Sequence, residues 1–189
     1  MAFDREKMMA GVRLLLEGMG LDPDSLRLAE TPRRVARMYE EVLWGLERRP
    51  EDVITVLKGE RYDEMVLVKD IPFYSLCEHH LLPFHGRAHV AYIPESNRIT
   101  GISKLARLVE LHARRLQVQE RMTREIADSL VDTLSPKGVM AVVEAEHLCM
   151  TMRGVQKPGS LTVTSVVRGI FRENPSTRSE AMALIRGSH

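Results

Sequence analysis

The sequence predicts an α+β domain in which a four-stranded antiparallel sheet carries two helices on one face, preceded by an N-terminal helical region. Three observations support this. The periodicities run in the order two helices, two strands, two helices, two strands and a last helix, the pattern of an antiparallel sheet with its helices gathered on one side. The chain of 189 residues is one domain's worth, with room for a short appendage. No repeat or low-complexity stretch competes with that reading. The helical region is placed at residues 1–60 and the sheet-bearing domain at 61–189.

Each element has its own signal. Residues 4–19 read as an amphipathic helix closed by Gly18 and Gly20. Thr31 is placed as the cap of the next helix with Pro32 at its first position, and Val35, Met38, Tyr39, Val42 and Leu46 follow at helical spacing. Polar residues 48–52 form a junction. Residues 65–68 and 87–93 read as strands, the second with Ala88, Val90 and Tyr92 on one face, followed by a turn at Pro94–Arg98. Ser103 is expected to cap a helix whose inner stripe is Leu105, Leu108, Val109, His112 and Leu116. Met122, Ile126, Leu130 and Leu134 mark a second helix ending at Ser135-Pro-Lys-Gly138. Residues 139–152 and 161–171 read as strands, and Thr177 with Glu180 as the capping box of a last helix.

Composition narrows the function. Twenty-seven Lys and Arg balance 26 Asp and Glu, for a formal charge of +1. A nucleic-acid or membrane-surface protein more often shows a basic excess, so neither partner is expected. No run approaches 18 apolar residues, and the charged N-terminus lacks the form of a secretory signal. The two cysteines are therefore expected in a reducing, cytoplasmic setting.

The chemistry concentrates in Cys77-Glu78-His79-His80. Cysteine and histidine are good zinc ligands, and the spacing lets a turn close on one ion. An extended segment would favour His79, a helical turn His80. The other cysteine lies in His147-Leu148-Cys149; if that segment is extended, His147 and Cys149 share a face. Cys77, Cys149 and one of the two histidines make three ligands with a position left for water, freeing the remaining histidines for proton transfer. Two cysteines in a chain of this length can equally be buried and unrelated.

Two further segments carry weaker signals. In Ser103-Lys104-Leu-Ala-Arg107, cations beside a helix N-terminus oppose its dipole, and a bound phosphate would reverse that penalty. The same residues also suit a solvated face. Gln117-Val-Gln119-Glu120 offers two amides and a carboxylate, and a carboxylate can accept both N–H groups of a guanine edge. No Walker loop or dinucleotide fingerprint is present, so a nucleotide would not be held as an NTPase holds it.

Together these pieces resemble one family closely. Cys77-Glu-His-His80, the run Ala113–Thr123, and His147-Leu-Cys149 with Arg153-Gly-Val155 resemble GTP cyclohydrolase I, with further matches at Thr31–Arg34, Gly101–Lys104 and Asn174–Arg178. The resemblance covers roughly residues 25 to 188. It implies a T-fold catalytic domain, assembled as a toroidal homodecamer with active sites at subunit boundaries. It implies Zn²⁺ held by Cys77, His80 and Cys149, with His79 and His147 as the catalytic histidines beside the substrate's imidazole ring. Gln119 and Glu120 match the guanine-recognising pair. Ser103, Lys104, Arg107 and Arg153 match the triphosphate group, and Arg34 a further arginine from a neighbouring subunit. The implied reaction opens GTP at C8 to give 7,8-dihydroneopterin triphosphate and formate, the first step of pterin and tetrahydrofolate biosynthesis. Leu116 and Met122 depart from the family pattern at packing positions, leaving the chemistry untouched.

Overall fold

The computed structural model describes residues 3–58 and 62–187. The junction expected between residues 60 and 61 lies outside the described residues.

The chain opens with α1 (Arg5–Gly18), whose first turn is capped by Asp4 accepting from the Lys7 amide at 3.0 Å. Next comes α2 (Thr31–Val42), where Thr31 is already helical and Glu30 holds the cap position without a side-chain capping bond. The helix stops at Val42, so Leu46 falls in a short 3₁₀ turn, Trp44–Glu47, followed by a second at Pro50–Asp52. The rest of the chain runs β1 (Leu57–Lys58), β2 (Val66–Cys77), β3 (Pro83–Ile93), β4 (Arg98–Ile99), α3 (Ile102–Ala113), β5 (Leu116–Gln117), α4 (Gln119–Leu134), β6 (Gly138–His147), α5 (Leu148–Thr151), β7 (Thr162–Gly169), α6 (Ile170–Glu173) and α7 (Pro175–Arg186).

The sheet order is β5-β2-β3-β6-β7. Its four long strands are antiparallel, as expected, and β5 adds a two-residue parallel edge to the end of β2. Strand β2 is three times its expected length. A bulge between Val68 and Ile71, with Asp70 in a left-handed conformation at φ 58°, interrupts the alternation that a period-two reading depends on.

Helices α3 and α4 cover one face of the sheet. Leu105, Leu108, Val109, Met122, Ile126, Leu130 and Leu134 are fully buried there against Phe84, Ala88, Val90 and Tyr92. Burying one such side chain contributes about 1.5–3 kcal/mol, so these stripes anchor the domain. Part of the opposite face, Ala91, Ile93, Met140 and Val142, is covered by Phe171 of α6 and Ala181 of α7. Two helix starts differ from expectation. Gly101 occupies the cap of α3, with Ser103 inside its first turn, and Asn174 rather than Thr177 caps α7, accepting from the amides of Ser176 and Thr177.

Candidate active site

The ends of β2 and β6, the start of β3 and the short β5 meet at one end of the sheet. Leu76 pairs with both Pro83 and Leu116, and Phe84 pairs with His147. After Cys77 the chain makes a tight turn closed by Leu81 N–H donating to Cys77 C=O and Cys77 N–H donating to Leu82 C=O, each at 2.9 Å. That turn exposes His79 and His80 while Cys77 stays buried.

The expected strand through residue 152 ends at His147. Cys149 sits on the helical turn α5, so alternation is not what aims it at Cys77. The turn does this instead. One nitrogen of His80 and the sulfurs of Cys77 and Cys149 all lie within 4.8 Å of one another. Ligand sulfurs on a tetrahedral zinc stand about 3.8 Å apart, given a Zn–S bond of about 2.3 Å, so the cluster needs only a small contraction. The donor chemistry fits as well. Burial and the neighbouring Cys77 push the Cys149 thiol up, with Arg153 opposing, and a divalent cation between the sulfurs reverses that by stabilising thiolates. Arg153 Nη1 donates to His80 Nε2 at 3.3 Å, placing this arginine at the cluster.

Beside the cluster stands His147. Its ring stacks on Phe84 with centroids 4.6 Å apart and planes 2° from parallel. Its Nε2 lies 2.7 Å from Gln119 Oε1. Burial holds the imidazole below its ordinary pKa, with Glu120 pulling the other way, so the ring is neutral near pH 7. Gln119 itself is 1% exposed, and its amide nitrogen faces Val143 C=O, Thr162 C=O and Thr164 Oγ1 at 3.0–3.1 Å. Glu120, the next residue, is exposed at the start of α4.

A polar network lies behind this end. Arg121 donates to Gln117 Oε1 at 3.0 Å and Leu116 C=O at 2.9 Å, and pairs with Glu78 in the metal-cluster turn. Gln117 in turn donates to Glu125 Oε2 at 2.9 Å and to His112 C=O at 3.1 Å. Sequence reasoning missed Arg121, Phe84 and Thr164. Only the register of β3 on β6 brings Phe84 to His147, and no motif marks it.

Of the expected phosphate residues the structure brings Arg153 to this end, and it does not bring Ser103 or Lys104 there. Thr100 N–H donates to Tyr92 Oη at 3.2 Å, so α3 begins near Tyr92, eight residues along β3 from Phe84. At about 3.4 Å per residue that is about 27 Å. Ser103 and Lys104 lie in the first turn of α3 at that far end, Arg107 lies midway along the helix, and Arg34 is exposed on α2. Among the described residues, none of these four side chains has a hydrogen-bond or ion-pair partner.

Fold and site thus define a T-fold protein with a cysteine–histidine cluster able to hold a metal ion. A family model described as GTP cyclohydrolase I matches residues 8–186. GTP cyclohydrolase 1 of Carboxydothermus hydrogenoformans is 60% identical over 182 residues, covering 96% of this chain and 95% of its own. Those of Pelotomaculum thermopropionicum (98% of each chain covered) and Clostridioides difficile (96% of each) are both 58% identical, over 185 and 183 residues. The chain belongs to the GTP cyclohydrolase I family. Among the described residues no helix is long and apolar enough to cross a membrane.

Proposed function

We propose that this chain converts GTP to 7,8-dihydroneopterin triphosphate and formate at the sheet end that carries Cys77, His80, Cys149, His79 and His147, with Zn²⁺ as the resident metal. The observation that carries the assignment is the convergence of three metal-competent ligands from two separate segments beside a neutral, hydrogen-bonded histidine. Cys77, His80 and Cys149 would hold the zinc, which would supply Lewis-acid activation of a water; the water attacks guanine C8. C8 leaves as formate, so both of its bonds to nitrogen break, and each nitrogen released needs a proton. His147 and His79 are the groups assigned to those transfers, taking up the proton that the attacking water gives up and passing it to nitrogen. Glu120 accepts the two N–H groups of the guanine edge from its exposed position, with Gln119 behind it.

Ser103, Lys104, Arg107 and Arg153 hold the triphosphate, joined by Arg34 of a neighbouring copy. The start of α3 lies beside Tyr92, about 27 Å along β3 from Phe84 at the cluster end, farther than a nucleoside triphosphate reaches. That separation supports a site completed by a second copy, and with it the homodecamer. Residues 61–189 form the catalytic T-fold domain in this reading, which acts in the cytoplasm at the first step of pterin and tetrahydrofolate biosynthesis.

The test is incubation with GTP, with and without a zinc chelator, following pterin fluorescence and formate together. Both products appear in the zinc-loaded protein and vanish with chelator. Turnover that persists in protein shown to be metal-free overturns the zinc role, and the absence of both products from zinc-loaded protein overturns the site.

A further inference from the structure

We infer that Gln119 is a positioning residue that sets the tautomer of His147, leaving Nδ1 as the nitrogen through which His147 exchanges protons with the substrate. The inference rests on the reading that His147 handles protons during ring opening.

Hydrogen-bond chemistry fixes each atom in turn. One end of the Gln119 amide faces two backbone carbonyls, Val143 C=O and Thr162 C=O, each at 3.0 Å, and Thr164 Oγ1 at 3.1 Å. Carbonyl oxygens only accept, so that end is the amino group. The other end is therefore the carbonyl oxygen, and it lies 2.7 Å from His147 Nε2. An oxygen without a hydrogen cannot donate, so Nε2 carries one. In a neutral imidazole the second nitrogen is then bare. Among the described residues, Nδ1 of His147 has no hydrogen-bond partner.

The ring cannot evade this assignment cheaply. A half-turn about Cβ–Cγ would put a C–H in front of Gln119 Oε1 and lose the bond. The stack on Phe84 holds the ring plane. Gln119 is held in its turn by β6 and β7, through Val143, Thr162 and Thr164, and these anchors belong to the rigid sheet. A guanine contact would have to break one of these bonds, because both ends of the side chain are occupied and it is 1% exposed. The arrangement therefore orients a proton carrier, as a carboxylate or carbonyl behind a catalytic histidine does.

Two measurements test this. A neutron structure of the zinc-loaded protein in heavy water, at alkaline pH, should show deuterium on Nε2 of His147 and none on Nδ1. The reverse placement overturns the inference, and this reading needs no variant to fold. In kinetics, Gln119→Ala should lower kcat by about 10²-fold while KM for GTP changes by less than about threefold. The preference for GTP over inosine triphosphate, which lacks the 2-amino group, should stay as it was. Gln119→Glu sets an oxygen against the Val143 and Thr162 carbonyls where the amino group donated, so it should not recover the lost kcat. A raised KM with unchanged kcat and a lost preference for GTP would make Gln119 a guanine contact instead. Failure of the proposed function would show separately, as wild-type protein that yields no pterin, with the proton position still readable.

Discussion

Replacing Glu125 with glutamine should remove a pH-dependent share of stability. Glu125 lies on α4, where Gln117 donates to its Oε2 at 2.9 Å and His112 Nδ1 stands 3.3 Å away, close but without hydrogen-bond geometry. Arg115 and Arg121 approach to 3.9 and 4.0 Å. His112 foremost, then Gln117 and the Arg115 charge, hold the carboxyl at about 2 instead of 4.5, against burial that pulls it up. The full difference corresponds to about 3.4 kcal/mol at about 1.36 kcal/mol per pH unit. A third of the side chain is exposed, so solvent screening leaves about 1.5–2 kcal/mol.

The sign follows from linkage. The unfolded chain binds a proton at Glu125 near pH 4.5 and the folded chain only near pH 2, so the contribution is complete above about pH 5. It is lost as pH falls through that window. Urea unfolding of wild type and Glu125→Gln, with chelator throughout to remove metal linkage, should give a gap of about 1.5–2 kcal/mol at pH 7. The gap should narrow at pH 4 and nearly close toward pH 2, as the wild-type carboxyl takes up its proton. A gap that is constant with pH, or absent at pH 7, would refute the argument.

Other outcomes follow from the same coordinates. Arg121→Ala releases the turn that carries His79 and His80, and zinc affinity, measured by chelator competition, should fall at least about tenfold. Arg121→Lys should not restore it, because one ammonium cannot span the three acceptors the guanidinium holds. Gly86→Ala would set a Cβ 1.9 Å from Glu144 O and 2.7 Å from Ala145 Cα, both backbone atoms of the paired strand. A loss of about 3 kcal/mol or more in urea unfolding is expected. Glu120→Ala should cut the kcat/KM preference for GTP over ATP at least about tenfold, read from parallel assays with both nucleotides.

What the sequence made legible was whatever local periodicity and ligand chemistry encode. The stripe Met122, Ile126, Leu130 and Leu134 is buried as its spacing requires, and so are Ala88, Val90 and Tyr92. Both halves of the Cys/His cluster were visible because few residue types bind zinc. Cap residues read less well. Ser103 and Thr177 lie inside their helices' first turns, where a hydroxyl is tolerated without capping, while Asn174 directly before Pro175 was the better signal. Strand β2 was cut short because Asp70 breaks its alternation with a bulge that only pairing to β3 defines. Cys149 reached the cluster by a helical turn, though β-like residues precede it. The two occupied ends of Gln119 depend on β6 and β7, and nothing near residue 119 announces them.

A mixing experiment can read whether Lys104 and Arg107 of α3 serve the Cys77, His80 and Cys149 cluster of another copy. If a complete site takes its cluster from one chain and its α3 cations from another, two variants broken in different halves can rescue each other. Cys77→Ala removes a residue of the metal-competent cluster, and a Lys104→Ala, Arg107→Ala double variant removes two cations that have no partner among the described residues. Each alone should be close to inactive. Unfolded together in equal amounts and reassembled with zinc, they should populate each position of an assembly at random. A site then draws an intact cluster half the time and intact cations half the time, so about one quarter of wild-type activity returns. Were both halves contributed by one chain, no hybrid could contain an intact site, and the mixture would stay at the parents' level. The same result would follow if the far-end cations held no phosphate only if the double variant were itself active, and its separate assay reveals that. Recovery near one quarter therefore ties catalysis to assembly. It also accounts for the cations of α3 that have no partner among the described residues, whose dipole cost within one chain is offset by an anion bound beside the neighbour's cluster.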